Sequence, residues 1–389
     1  MTARSLRHRF PGIDDDWARF DGPAGTQMVD AAIEAMTAWM ASGSTAAAGG
    51  PFAAAQDCTA LLARARATVG ELLGADPSGI AFGPSSTSNL FALTRAVAET
   101  LEPGDRIVGT TLDHDANITP WRLAADAAAA DHVLVPFRDT TCNLAAEDVI
   151  AEIDERTRWV TLPGASNLLG SIPDLRPIVD AAHAAGARVA VDAVHLAAHR
   201  RIDVAALGCD VLVTSPYKWY GPHGGVIWIE PALLAELPVF KVRPSSDAVP
   251  ERFETGMPNF EAIAGIEAAA RFLLEEGMDA LAAAEAELFD SLVDGLRAIP
   301  GVHVWGETDP ARRTPTAAFT VDGRSPAAVA AALAAEHIAV WDGHNYAVEV
   351  VRQLALDTTG GVVRAGVSRY TSPADAERLL DAVGRIAMS

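Results

Sequence analysis

Two short stretches hold the side chains most able to do chemistry. In Asp210-Val211-Leu212-Val213-Thr214-Ser215-Pro216-Tyr217-Lys218-Trp219-Tyr220-Gly221-Pro222, the apolar run Val211 to Val213 reads as a buried strand. It breaks at Pro216 and delivers Lys218 just beyond the break. The chain has two lysines, Lys218 and Lys241, against twenty-eight arginines. Arginine serves wherever a plain positive charge is enough. A lysine kept at a strand exit between aromatic residues points to chemistry that arginine cannot perform, namely loss of a proton and formation of a Schiff base. Taken alone, the stretch also fits a surface lysine at a strand exit. Upstream, Arg188-Val189-Ala190-Val191-Asp192-Ala193-Val194-His195 is a second apolar run that brings Asp192, then His195, to the end of another strand. Ligands of open α/β sheets bind outside the carboxyl ends of the strands. An acid and a lysine on two such ends suit pyridoxal phosphate: the lysine holds the aldehyde, and the carboxylate keeps the pyridine nitrogen protonated so that the ring accepts electrons.

A third stretch could hold the phosphate. Ile80-Ala81-Phe82 reads as a strand, Gly83-Pro84-Ser85-Ser86-Thr87-Ser88-Asn89 as a hydroxyl-rich turn, and Leu90 to Thr100 as a helix. Free backbone N–H groups and hydroxyls at such a helix start make an anion site, and they equally make an ordinary Ser/Thr cap.

The elements that must position these residues follow from periodicity. Further strands are predicted at Arg106–Thr110, His132–Pro136, Trp159–Leu162, Val189–Asp192, Val211–Thr214 and Val226–Ile229. Helices are predicted over Met28–Met40, Cys58–Leu73, Pro120–Ala130, Ala146–Ile153, Leu175–Ala185 and Val204–Leu207. With Ile80–Phe82 this makes a seven-stranded, mostly parallel sheet, in which Gly224-Gly225 turns Val226–Ile229 back as an antiparallel member. Beyond Pro250 the pattern becomes α+β: long helices at Ile263–Glu276 and Met278–Ile299, strands at Val302–Trp305, Ala317–Val321, Ile338–Trp341 and Val362–Val367, and helices at Pro326–Glu336 and Pro373–Met388. The expected division is a large domain over residues 15–250 and a small one over 251–389, with N-terminal residues packing on the latter. The Ala/Gly-rich stretch Ser42 to Gly50 is a linker or a loop lining a site.

Composition narrows the function. The chain has 389 residues, enough for two cores, and a formal net charge of −21, which argues against nucleic acid and anionic membrane surfaces. Half of the residues are apolar, yet no run reaches membrane-spanning length. Arg4, Arg7, His8 and Arg9 at the start are not followed by an apolar segment, so no secretory signal is read. Cys58, Cys142 and Cys209 are odd in number and widely spaced, which fits a reducing cytoplasm rather than a disulfide framework. The ten histidines show no metal-ligand spacing, so no metal is expected. A nucleotide-binding Rossmann protein would need GxGxxG after its first strand, and the chain lacks it.

From about Phe20 to its C-terminus the sequence resembles the class V aminotransferase group of fold-type-I pyridoxal phosphate enzymes, and within it a desulfurase-like branch lacking the catalytic cysteine. The resemblance is carried by Asp192-Ala193-Val194-His195 and Ser215 to Pro222. Arg252-Phe253-Glu254-Thr255-Gly256-Met257-Pro258-Asn259 and Ser166-Asn167-Leu168-Leu169-Gly170 add to it. It implies that Lys218 is the Schiff-base lysine, that Asp192 partners the pyridine nitrogen and that His114 stacks on the cofactor ring. Asn167 and His195 would lie near the phenolic oxygen, with His195 replacing the usual Gln. Ser86, Thr87 and Ser215 would cradle the phosphate, with Thr255 also at the cofactor; Asn259 and Thr255 lie close to the position of the Thr that the family contributes from a neighbouring subunit. Arg364 would hold the substrate carboxylate through a bidentate pair, with His344 also at the substrate. The family's motif departs in three places. Tyr217 replaces a His before the lysine, Met257 aligns with a phosphate-binding Thr, and Tyr346, in Trp341-Asp342-Gly343-His344-Asn345-Tyr346-Ala347, stands where desulfurases carry their sulfur-accepting cysteine. Tyr346 is then an acid or base beside the substrate, or a wall of the pocket.

The resulting expectation is a cytoplasmic, homodimeric enzyme with shared active sites. It acts on a small-molecule amino acid by desulfurase-like or C–S lyase chemistry on a cysteine derivative. Transamination and epimerisation are the alternatives within the family, and a non-catalytic pyridoxal-phosphate-binding protein is the alternative outside it.

Overall fold

The computed structural model describes residues 6–13, 15–44, 47–138 and 142–389. Arg4, Thr45 and Ala46 of the small-residue stretch, and Thr140-Thr141 before Cys142 lie outside the described residues. In chain order the first half runs β1 (Ala18–Arg19), α1 (Asp30–Ala41), α2 (Ala53–Leu73), β2 (Ile80–Gly83), α3 (Ser86–Ala98), β3 (Arg106–Thr110), α4 (Thr119–Ala128), β4 (Asp131–Val135) and α5 (Ala146–Ala151). Then come β5 (Thr157–Pro163), α6 (Arg176–Ala184), β6 (Arg188–Asp192), α7 (Val204–Leu207), β7 (Val211–Thr214), β8 (Gly225–Ile229) and α8 (Pro231–Glu236). The remainder is α9 (Phe260–Glu276), α10 (Met278–Ala298), β9 (Val302–Trp305), β10 (Thr316–Val321), α11 (Pro326–Ala335), β11 (Ile338–Ala339), β12 (Trp341–Gly343), α12 (Val348–Gln353), β13 (Val362–Gly366) and α13 (Pro373–Met388).

Seven strands form the large sheet in the order β2-β8-β7-β6-β5-β3-β4. Pairing is parallel from β4 through β7 and antiparallel at β8 and β2, as the double glycine implies. The central strands are buried on both faces, which is why they read as continuous apolar runs. Gly225 is required where β8 passes the turn after β2, since a Cβ there would collide with the Ser85 backbone.

The second sheet, β12-β13-β10-β9, is antiparallel and alternates strictly. Ala317, Phe319, Val363 and Ala365 enter a core of their own with Phe289, Leu292 and Leu379, while Ala318 and Val362 join the core of the large sheet. That period of two turns Arg364 to the same side as Val362, toward the large sheet. Ala18 and Phe20 belong to the smaller core, and β1 pairs with β11. Helix α9, beyond residue 250, packs on α1 and α2. The region expected as a single strand over Ile338–Trp341 is split between two sheets, β11 and β12, and the following loop contains α12. Helix α3 begins at Ser86 rather than Leu90 because Ser85 caps it, accepting from the Ser88 N–H at 3.0 Å. Among the described residues no helix is long and apolar enough to cross a membrane.

A buried polar cluster ties α10 to the large sheet. Glu285 on α10 accepts from the His199 ring at 2.9 Å and lies 3.0 Å from an Arg369 nitrogen, while Arg369 also donates to the Ala198 carbonyl. Removing the carboxylate strands a buried guanidinium, which typically costs about 3–5 kcal/mol. Glu285→Ala is therefore expected to lose about that much unfolding free energy in urea denaturation. A loss within the range of ordinary surface substitutions, about 0.5 kcal/mol, would show that the cluster does not hold the two sheets together.

Candidate active site

Four neighbouring parallel strands deliver the site at their carboxyl ends. Beyond β3 lie Asp113 and His114, beyond β5 Asn167, at and beyond β6 Asp192 and His195, and beyond β7 Ser215 and Lys218. With Ser86 and Thr87 at the start of α3 and with Tyr217, these residues line one pocket. Asp192 is paired with Val213 across β6 and β7, which brings the acid and the lysine loop out at the same edge.

Lys218 is enclosed: its Nζ donates to the Pro23 carbonyl and lies 5.4 Å from the Tyr217 ring centroid. Burial, reinforced by Arg364, lowers its pKa to about 7 despite the attraction of Asp192. Burial likewise raises the Asp192 carboxyl to about 6, opposed by the Val194 N–H donated to it at 2.9 Å and by Lys218. The His114 Nδ1 accepts from the Ala116 N–H at 3.0 Å, and burial, Lys218 and Arg364 lower the ring to about 4. His114 is thus neutral near pH 7, with its proton on Nε2. His195 is held well below its ordinary pKa by burial, His199, Lys218 and Arg364, and its Nε2 meets the Thr314 and Thr316 hydroxyls, each at 3.0 Å. Ser86 donates to the Thr214 carbonyl at 2.7 Å and lies 2.8 Å from the Ser215 hydroxyl, which sets two hydroxyls and a helix start side by side.

Arg364 arrives from β13. One Nη donates to the Asn167 carbonyl at 2.9 Å, and its Nε is buried without a partner. Among the described residues no carboxylate pairs with it, and burial lowers it to about 9. Asn167 donates through Nδ2 to the Asn345 carbonyl at 2.8 Å, leaving its own side-chain carbonyl buried and unpartnered.

Not every expected residue joins this pocket. His344 and Tyr346 are exposed, and the Tyr346 ring meets the site through His114, on which it stacks at 5.3 Å. Thr255 lines a different pocket with Phe82, His223, Met257 and Asn259. Three participants escaped sequence reasoning. Pro23 lies in a turn-rich opening segment whose proximity to Lys218 is purely tertiary. Tyr217, whose phenol is pushed up by burial, was noticed only as a departure. Asp113 is fully buried, accepts from Thr110 at 2.7 Å and Asn117 at 2.8 Å, and is pushed well up by burial. Its i,i+4 spacing to Asn117 was the one available signal.

The donor set fits pyridoxal phosphate. Paired hydroxyls at a helix start suit a phosphate, a buried carboxylate suits a protonated ring nitrogen, a neutral imidazole suits a flat ring, and a lysine of lowered pKa suits an aldehyde. A parallel sheet presenting this set at its carboxyl edge defines a fold-type-I pyridoxal phosphate enzyme.

The chain belongs to the family described as aminotransferase class-V, which it matches over residues 19–379. A cysteine desulfurase of Enterobacter sp. strain 638 is 30% identical over 95% of this chain and 93% of its own length. A probable cysteine desulfurase of Mycolicibacterium paratuberculosis is 32% identical over 95% of this chain, which spans only 55% of that longer relative. The apo structure of a cysteine desulfurase from Thermococcus onnurineus superposes with a TM-score of 0.93 at 25% identity, covering 100% of this chain and 98% of the other.

A lysine with a pKa near 7 is protonated below that pH and nucleophilic above it. The rate at which cofactor-free protein captures pyridoxal phosphate should therefore rise with pH through a midpoint near 7, followed by the growth of visible absorbance. A midpoint near the ordinary lysine value of about 10.4 would show that the amine is solvated rather than buried.

Proposed function

We propose that the protein is a pyridoxal-phosphate-dependent enzyme that cleaves the C–S bond of an S-substituted cysteine, releasing a thiol, pyruvate and ammonia. The observation that carries this reading is a buried Arg364 with no carboxylate partner among the described residues, close enough to Lys218 and Tyr217 to act on them electrostatically. A buried guanidinium is costly unless it is paired, and the α-carboxylate of an amino acid supplies the missing anion in bidentate form. The bound cofactor supplies an electron sink for the pair left at Cα. Asp192 would hold the pyridine nitrogen protonated, His114 would face the ring, and Ser86, Thr87 and Ser215 would hold the phosphate. Lys218 would take the α-proton and return it to the thiolate departing from Cβ, and water would complete the release of pyruvate and ammonia.

The choice of C–S cleavage without a protein-bound persulfide is supported by the thiols. Tyr346 occupies the position of the sulfur-accepting cysteine, and Cys58, Cys142 and Cys209 are all buried. Cys209 precedes β7, so it belongs to the amino edge of the sheet, four strand residues or about 13 Å from the edge that carries Lys218. Burial and Asp210 push its thiol up to about 12. We further infer a cytoplasmic homodimer with shared sites. Thr255 lies outside its own chain's pocket and Met257 beside it is 69% exposed, the arrangement expected if this segment reaches a neighbouring subunit. The same reading divides the chain near residue 250, with α9 as the junction between a large and a small domain.

Incubation with S-alkyl and S-aryl cysteines should yield thiol and pyruvate in equal amounts, with free cysteine a poor substrate. Asp192→Ala should still bind cofactor but turn over at least tenfold more slowly, about 1.4 kcal/mol or more in the barrier. Rapid persulfide formation from free cysteine would restore a desulfurase with a relocated nucleophile. A keto acid formed without thiol would assign transamination.

A further inference from the structure

The segment between β12 and α12 has two consecutive non-glycine residues in left-handed conformation, Asn345 at φ 48° and Tyr346 at φ 62°. Asparagine tolerates this region, but for a tyrosine it costs roughly 1–2 kcal/mol, so something must hold it. Both strained residues give their carbonyls to the large-sheet side of the pocket. Asn345 accepts from the Asn167 side chain at 2.8 Å and Tyr346 from the Asp115 N–H at 2.8 Å. The Tyr346 N–H donates to the His344 ring at 3.0 Å, and the Ala347 N–H to the His344 carbonyl at 2.7 Å. The ring that this backbone projects is 66% exposed and enters no core cluster. It stacks on His114 with planes 26° apart, and His344 meets it edge-on at 6.2 Å. Among the described residues its hydroxyl has no hydrogen-bond partner.

We propose that Tyr346 is a positioning residue: its aromatic face pins the His114 imidazole from outside, so that the imidazole keeps a fixed orientation toward the pocket, and the phenolic hydroxyl takes no part in the reaction. Strain at a functional site persists where surrounding contacts over-determine it, and here four hydrogen bonds converge on one turn to place one ring. The Ala116 N–H fixes His114 through Nδ1 but leaves the imidazole plane open to rocking about that bond, a freedom that stacking removes. The loop is thereby a fixed wall. The proposal rests on the reading of His114 as the residue against the cofactor ring.

The clamp can be read without cofactor. In proton NMR of the cofactor-free protein, the His114 ring protons should be displaced upfield by the Tyr346 ring, equally so in Tyr346→Phe, and released toward ordinary positions in Tyr346→Ala and Tyr346→Leu. In the holoenzyme, Tyr346→Phe should keep most of kcat, while the Ala and Leu variants should lose about ten- to hundredfold in kcat with a changed visible circular dichroism band. Loss of turnover in Tyr346→Phe with the His114 shifts intact would overturn the proposal and make the hydroxyl chemical. Unchanged His114 shifts in Tyr346→Ala would overturn it by removing the clamp. If the shifts behave as expected but His114→Ala turns over normally, the reading of His114 fails instead and leaves the clamp without a purpose.

Discussion

Taking the Lys218 amine out of water is the constraint around which this molecule is arranged. A fall from the ordinary value of 10.5 to about 7 corresponds to about 5 kcal/mol of lost preference for the charged form. Desolvation is the larger cause and Arg364 adds to it, while Asp192 opposes both. The three groups come from β7, β13 and β6, so the balance exists only when the small sheet is seated on the large one. The alternation of β13 sends Val363 and Ala365 into the small core and Arg364 the other way. The Glu285–His199–Arg369 cluster anchors α10 beside His195. Packing around the small sheet thereby becomes electrostatics at the lysine.

The loop between β12 and α12, which carries Asn345 and Tyr346, obeys the same logic. Its carbonyls are fixed by Asn167 and Asp115, residues of the strand-end loops that form the pocket. A loop tied at both of its strained residues provides a fixed wall.

Much of this was legible in the sequence. The run Val211–Thr214 was read with its true bounds because a strand buried on both faces is an uninterrupted apolar run between breakers. The final helix was read with its true bounds, Pro373–Met388, and the structure shows Ser372 and Asp375 closing a capping box at its start. The Lys218, Asp192 and Arg364 constellation came from strand ends together with family resemblance. What remained hidden depends on contacts between residues distant in the chain. Pro23 reaches Lys218 across 195 positions, and the split of Ile338–Trp341 between two sheets follows from which partners are within reach. Asp113 is marked in the sequence only by its i,i+4 spacing to Asn117, which does not show that it is buried. Tyr217 and Tyr346 were visible as substitutions, but only their stacking on His223 and His114 gives them a place.

The central claim is that Lys218 is the residue that carries the cofactor. The most direct measurement is borohydride reduction of the cofactor-loaded protein followed by peptide mapping by mass spectrometry. A pyridoxyl group on the peptide containing Lys218, with Lys241 unmodified, is the predicted result. Label on Lys241 alone, or none on protein shown to hold the cofactor, would contradict it.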